Sequence, residues 1–410
     1  MQMTMASIRK LVFDESATAL SWSAPGIIAT TTAKFSTKGS SKQKQTAKVK
    51  ARQNQKSKQA ANATIDKCLL HPSSSTTFCD IGANLTDPVF MGMYRGKQKH
   101  ESDFDLVLER AMDAGVEQVI VTAGNLEESR AALKLVKAQR SLPQAQQARQ
   151  ARLYCTVGVH PTRCDEFEVK AGTGGDGTGA DAVDAAEAHL LALKELCDVA
   201  SADAAAFGGE PIVVAIGECG LDYDRTEFCA RDVQLRNFQR QFALAEHTGL
   251  PMFLHCRAAQ DDMLRLCRAH RQRFKTGVVH SFDGSAAEAA AFVELGLHIG
   301  LNGCSLKTAE NLDVVKTIPV GNLMLETDAP WCDIRPTHAG FAHVRSMWPQ
   351  CKPDKHRRGS CVKGRNEPCT MRQVLEVVAG VRGDDPLVLG NQVLENTLRV
   401  FLPNRRNSAQ

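Results

Sequence analysis

The sequence predicts an α/β protein: an eight-stranded parallel β/α barrel of the TIM type, preceded by a disordered basic extension. Three observations carry that expectation. From residue 77 onward, short strand-like apolar runs alternate with helical segments. There are eight such runs. They are nearly continuous in apolar residues, which marks strands covered on both faces, as in parallel sheets. Eight alternating units of this kind close most simply into a barrel.

The strands read, in order, TFCDIGAN (77–84), VEQVIVTA (116–123), LYCTVGVH (153–160), VVAIGECG (213–220), PMFLHC (251–256), TGVVHSF (276–282), LHIGLNG (297–303) and NLMLETD (322–328). Helices fit between them. LVLERAMDAG places Leu106, Val107, Leu108, Ala111 and Met112 near one face, and Gly115 closes it. LEESRAALKLVKAQ, AEAHLLALKELCDVA, RDVQLRNFQRQFALAEHTG and AAEAAAFVELG supply further helices. The barrel is expected over 76–403, followed by a short tail, 404–410. That span exceeds the ~250 residues typical of the fold. Insertions at 170–185 (KAGTGGDGTGADAVDA) and 349–364 (PQCKPDKHRRGSCVKG) account for much of the excess. The first contains a GxGxxG at Gly172, Gly174 and Gly177, but no strong strand precedes it, so it reads as a flexible loop.

Residues 1–75 are rich in Ser, Thr, Gln, Lys and Ala with no sustained apolar period, and they cannot bury a core. Residues 1–65 alone hold eleven Lys or Arg against Asp14 and Glu15, a net of +9 in a chain of +4, leaving −5 for the rest. This arm reads as disorder, a nucleic-acid contact or a targeting segment. The 43% apolar and 23% charged content is that of a globular protein, and no apolar run is long enough to span a membrane. The fourteen cysteines show no Cys-x-x-Cys spacing, which argues against a structural zinc site and for free thiols in a reducing compartment.

The chemistry-bearing residues stand at strand ends. The first strand ends in Asp80, Asn84 and Thr86, the third in His160, the fourth in Glu218, the fifth in His255, the sixth in His280 and the eighth in Asp328. In a barrel these ends converge on one face. A single strand-end His is more often a hydrogen-bonded rim residue than a ligand, and a lone Asp before Ala-Pro is usually a turn former. Two His, one Glu and one Asp at the ends of four buried strands form a mixed nitrogen and oxygen ligand set for divalent metals. Without a cation, Glu218 and Asp328 would repel each other and be penalised by desolvation.

The chain resembles the TatD family of metal-dependent deoxyribonucleases in its eukaryotic form. The motifs are DIGANLTD (80–87), GVHPTRC (158–164), AIGECGLDYDR (215–225), FLHCR (253–257), VVHSFDG (278–284), NGCSLKT (302–308), LETDAPW (325–331) and RNEP (365–368). The resemblance covers 77–403 and implies a β/α barrel of the amidohydrolase kind. It implies a nuclease using two divalent metal ions, Mg²⁺ expected and Mn²⁺ or Zn²⁺ as alternatives. Glu218 matches the glutamate that bridges the ions, His255 and His280 the ligands of one, and Asp328 the ligand of the other. Asp328 also matches the group that orients or deprotonates the attacking water. His160 matches a histidine near the scissile phosphate, and Arg365, Asn366 and Glu367 a late motif at the mouth of the site. Where relatives in the wider superfamily carry His-x-His after the first strand, this chain has Asn84-Leu85-Thr86, which favours a hard ion.

His160 and Arg257 are then candidates to stabilise the transition state, Arg257 equally a structural ion pair. Asp222 is a candidate to hold a histidine ligand or to cap its loop. Tyr223 and Trp331 are candidates to stack on a terminal base. The expected reaction is 3′→5′ exonuclease action on single-stranded or frayed DNA ends, with the polarity implied by the resemblance alone. The alternatives are a hydrolase of a small amide, lactone or phosphoester on the same barrel, or a catalytically silent DNA-binding protein. By resemblance the nucleus is the expected compartment, with cytoplasm and mitochondrion as alternatives. The oligomeric state is left open.

Overall fold

The computed structural model describes residues 76–168 and 180–406. The basic segment 1–75 and the glycine-rich loop at 172–177 lie outside the described residues. Eight strands form one parallel sheet in chain order: β1 (Phe78–Ala83), β2 (Val116–Val121), β3 (Arg152–Val157), β4 (Val213–Asp222), β5 (Met252–Arg257), β6 (Gly277–His280), β7 (His298–Leu301) and β8 (Leu323–Leu325). The sheet curls until its last strand meets its first. Asp328 N donates to Gly82 O at 2.8 Å and Asn84 N to Ala329 O at 2.6 Å, and Ala83 bridges Ala329. The seam is thus made just beyond β8, where Asp328 is delivered.

Helices lie outside the strands: α1 (Phe104–Asp113), α2 (Leu126–Arg140), α3 (Ala180–Asp203), α4 (Arg231–Thr248), α5 (Gln260–Ala269), α6 (Ala286–Glu294), α7 (Ala309–Thr317), α8 (Met371–Arg382) and α9 (Pro386–Phe401). In α1 the buried face is Phe104, Val107, Leu108 and Ala111, a clean helical stripe. Leu106 and Met112, expected on that face, are only half-buried. Caps set the helix starts: the Asn125 side chain accepts from Glu128 N, and Ser285 with Glu288 closes a capping box.

Two apolar clusters result. One fills the space between strands and helices. The other gathers one or two residues from most strands, including Ile81, Ile120, Tyr154, Val214, Phe253, Val278 and Met324, and adds Val400, Phe401 and Leu402 from the end of α9. Each strand thus buries both faces, as its continuous apolar run required. The expected tail from residue 404 is partly structured: a turn at Pro403–Arg406 follows α9, and Arg405 Nε donates to Glu210 at 3.0 Å. Among the described residues, no helix is long and apolar enough to cross a membrane.

Candidate metal and active site

The site starts with β4. Its ten residues are all buried, and Glu218 sits inside the strand. Gly217 and Gly220 make this possible. Their φ angles are +148° and +145°, and a Cβ would meet Phe253 O at 2.2 Å and His255 O at 2.0 Å respectively. Only glycine lets β5 pass this closely. The register then pairs Gly220 with His255 and His255 with His280 across β4, β5 and β6.

Three histidines converge on one oxygen. Glu218 Oε1 lies 2.8 Å from His255 Nδ1, 2.7 Å from His280 Nε2 and 3.5 Å from His160 Nε2. The opposite nitrogen of each ring is held in turn. His255 Nε2 lies 3.3 Å from Asp222 Oδ2, and His280 Nδ1 lies 3.5 Å from Glu326 Oε2. Thr162 N donates to His160 Nδ1 at 3.2 Å, so in neutral His160 the proton is on Nε2, facing the cluster.

Charges follow the geometry. Burial alone would push Glu218 up, but the charge of His280 and the hydrogen bonds from His255 and His280 outweigh it and hold the carboxyl well below its usual range. Burial disfavours a charged His255, yet Asp222 and Glu218 raise it, while Glu218 and Glu326 raise His280. Burial lowers His160 to about 3, leaving it neutral. Burial raises Asp328 to about 7, with the repulsion of Glu218 and Glu326 adding to it.

This donor set fits a divalent cation. His255 Nδ1 and His280 Nε2 are 3.2 Å apart and aim at the same carboxylate oxygen. If each bears a proton the two crowd; one cation between them removes both. Glu218, His255 and His280 lie within ligand reach of one another, and a second overlapping group is His160, Asp222 and His255. Asp328 lies near enough to feel the charges of His280 and Glu218. Asn84 Nδ2 donates to its Oδ1 at 2.9 Å and Cys332 Sγ to its Oδ2 at 3.2 Å. Asn84 thereby positions Asp328, and its own Oδ1 accepts from Thr122 at 3.0 Å.

Other expected residues fall elsewhere. Asp80 is not at the strand end but buried within β1, accepting from Thr327 N at 3.0 Å and from the Thr327 hydroxyl. Arg365 is corrected most strongly. It is 5% exposed, with both terminal nitrogens committed to Asp103 and Glu367, so it anchors a loop instead of meeting substrate. Asn366 is buried too and donates to Thr327 O, holding the chain beside Asp328. Glu367 is fully buried between Arg110 and Arg365, not at the mouth. Arg257 pairs with Asp224 at 2.9 Å, the structural alternative. The Tyr223 hydroxyl donates to Asp262, and Arg231 covers one ring face at 4.3 Å, so that face is taken. Trp331 is 56% exposed, three residues after Asp328, and stays available.

The reading from sequence missed Glu326, Asn302 and Ser281. Glu326 is fully buried, and its Oε1 accepts from Ser281 N and from Asn302 Nδ2 at 3.2 Å. No local pattern in the sequence singles it out, since its partners Ser281 and Asn302 lie 45 and 24 positions away.

Residues 79–402 match the family model described as TatD related DNase. The chain is 39% identical over 330 residues to a Schizosaccharomyces pombe protein named Deoxyribonuclease Tat-D, covering 80% of this chain and 96% of that one. It is 32% identical to an Erwinia amylovora protein named 3′-5′ ssDNA/RNA exonuclease TatD, covering 78% and 98%. A solved TatD family hydrolase from Entamoeba histolytica superposes with a TM-score of 0.69 at 33% identity, covering 81% of this chain and all of that one. With a barrel that carries Glu218, His255, His280 and Asp328 to one mouth, and with matches of this extent, the chain belongs to the TatD family of deoxyribonucleases.

Proposed function

We propose that this TatD-family protein is a divalent-metal-dependent 3′→5′ exonuclease acting on single-stranded or frayed DNA ends, with Mg²⁺ as the working ion. The observation that carries the reading is the convergence of His160, His255 and His280 on Glu218 Oε1, with Asp328 close enough to feel the charges of His280 and Glu218. The polarity and single-strand preference draw support from the name of the Erwinia relative.

Glu218, His255 and His280 would hold one ion, and Asp328 with Glu218 a second. Such ions polarise a phosphoryl oxygen and make water acidic enough to attack near neutral pH. The remaining work falls to the chain. Neutral His160 presents Nε2–H to an anionic phosphate oxygen without having to give up a charge. Asp328, ionised beside a cation and oriented by Asn84, would accept a proton from the attacking water. Asp222 and Glu326 fix the rings of His255 and His280. Trp331 at the lip offers a sequence-tolerant platform for the terminal base.

The test is hydrolysis of a 5′-labelled single-stranded oligonucleotide by the full chain, with Mg²⁺, with EDTA and with Glu218→Ala in parallel. A descending ladder that needs metal and drops by more than ~100-fold in the variant supports the proposal. A ladder undiminished in the variant refutes the role of Glu218. Metal binding with no DNA cleavage moves the reading to a small-molecule hydrolase.

A further inference from the structure

Two thiols meet beside Asp328. The Cys304 and Cys332 Sγ atoms are 2.7 Å apart, on the loops that follow β7 and β8. Among the described residues only three cysteines are not buried, Cys304, Cys332 and Cys351, and two of them form this contact. The loops are pressed together: a Cβ at Gly303 would meet Cys332 O at 2.0 Å. Each cysteine is also tied to the site. Cys332 Sγ donates to Asp328 Oδ2 at 3.2 Å. Cys304 N donates to Asn302 Oδ1 at 2.8 Å, and Asn302 Nδ2 in turn donates to Glu326.

We propose that Cys304 and Cys332 are a peroxide-reactive dithiol that closes to a disulfide and turns the site down by withdrawing the Cys332 hydrogen bond from Asp328. The adjacency of the two sulfurs and the partial exposure of their residues carry this, and the link to Asp328 gives it a consequence. The activity arm rests on the nuclease reading; the chemistry of the pair does not.

The steps balance. The Cys304 sulfur attacks one peroxide oxygen, the O–O bond breaks, and a sulfenic acid and one water result. The Cys332 sulfur then displaces the hydroxyl as a second water, and the S–S bond forms. Two thiols lose two protons and two electrons, and one hydrogen peroxide is reduced to two waters. Cys304 is the natural first reactant. The Cys332 S–H is committed to Asp328, whereas the Cys304 sulfur has the positive charge of Lys307 nearby. Once the disulfide forms, Cys332 has no S–H to donate and Asp328 loses one of its two side-chain partners.

The experiment treats the full chain with stoichiometric hydrogen peroxide and reads two quantities. Intact mass and peptide mapping are expected to show loss of two hydrogens and a cross-link joining the segments that hold Cys304 and Cys332. Nuclease turnover is expected to fall about tenfold, the scale of losing a ligand's hydrogen-bond partner, and to return with dithiothreitol. Cys304→Ser is expected to keep its basal turnover and lose both the cross-link and the reversible response. A cross-link elsewhere, or sulfinic acid without a cross-link, overturns the proposal. A Cys304–Cys332 cross-link with unchanged turnover overturns its regulatory half. If no sample cleaves DNA, the cross-link still decides the chemistry, and the nuclease reading fails separately.

Discussion

Glu326 shows how a residue can govern a site without lining its mouth. Ser281 N and Asn302 hold Oε1, while Oε2 has no hydrogen-bond partner of good geometry and faces His280 Nδ1 at 3.5 Å. A carboxylate so placed fixes the ring and makes the opposite nitrogen a better ligand. Glu326→Gln is therefore expected to weaken Mn²⁺ binding ~10–100-fold in calorimetric titration. Unchanged affinity would remove Glu326 from the site. Asp80 gives a second test at this scale. Burial raises its carboxyl from 3.8 to about 8, against the pull of its Thr327 hydrogen bonds. The folded state thus holds a proton that the unfolded state has released. The associated stability is full below the unfolded value and lost as pH rises through about 8. Asp80→Asn, which cannot titrate, should gain on the parent by a few kcal/mol between about pH 5 and pH 9 in urea denaturation. A pH-independent difference would contradict this. Glu218 was legible because a carboxylate ending an apolar run is conspicuous. Glu326 was not, because its value lies in a contact to β6 that no local pattern encodes.

The elements show where periodicity suffices and where it does not. All eight strands lie where the apolar runs predict them, because strands buried on both faces leave a continuous signature. α4 is different. Gln234, Asn237 and Gln241 are fully buried, although their polarity assigns them to solvent. Gln234 bonds both the N–H and C=O of Asp222, and Gln241 those of Val159, tying down the ends of β4 and β3. Such polar clamps satisfy backbone groups that would otherwise be buried and unpaired. β4 owes its shape to glycine, so Gly220→Ala should destabilise by at least ~2–3 kcal/mol, since φ is +145° and the added Cβ meets His255 O at 2.0 Å. Gly359→Ala is the control, with φ +86° and nothing within 4 Å, and should lose about 1 kcal/mol. Equal losses in chemical denaturation would mean that close packing of β4 on β5 is not what demands glycine at 220.

At the scale of the molecule, a buried charge cluster ties the loop after β1 to the segment beyond β8. Arg365 donates to Asp103 at 2.7 and 2.6 Å and to Glu367 at 2.8 Å, and Arg110 bonds Glu367 at 2.8 Å. The Phe90 ring lies 5.2 Å from the Arg365 guanidinium. Arg365 and Asp103 are 262 positions apart in the chain, which is why the sequence could suggest an arginine for DNA but not its partner. A substrate contact and a buried tie make opposite predictions. Arg365→Met leaves Asp103 and Glu367 buried without their main cation, and should lower stability by roughly 3–5 kcal/mol in denaturant titration. Below its unfolding transition, the variant should keep a KM for single-stranded DNA close to the parent's, because no phosphate reaches the guanidinium. Arg365→Lys retains the charge but not the two-pronged geometry, so its stability should fall between the two. A variant as stable as the parent but with KM raised severalfold would put Arg365 back at the mouth of the site. That result would also require the Asp103 pair to open on binding, since the structure leaves neither terminal nitrogen free.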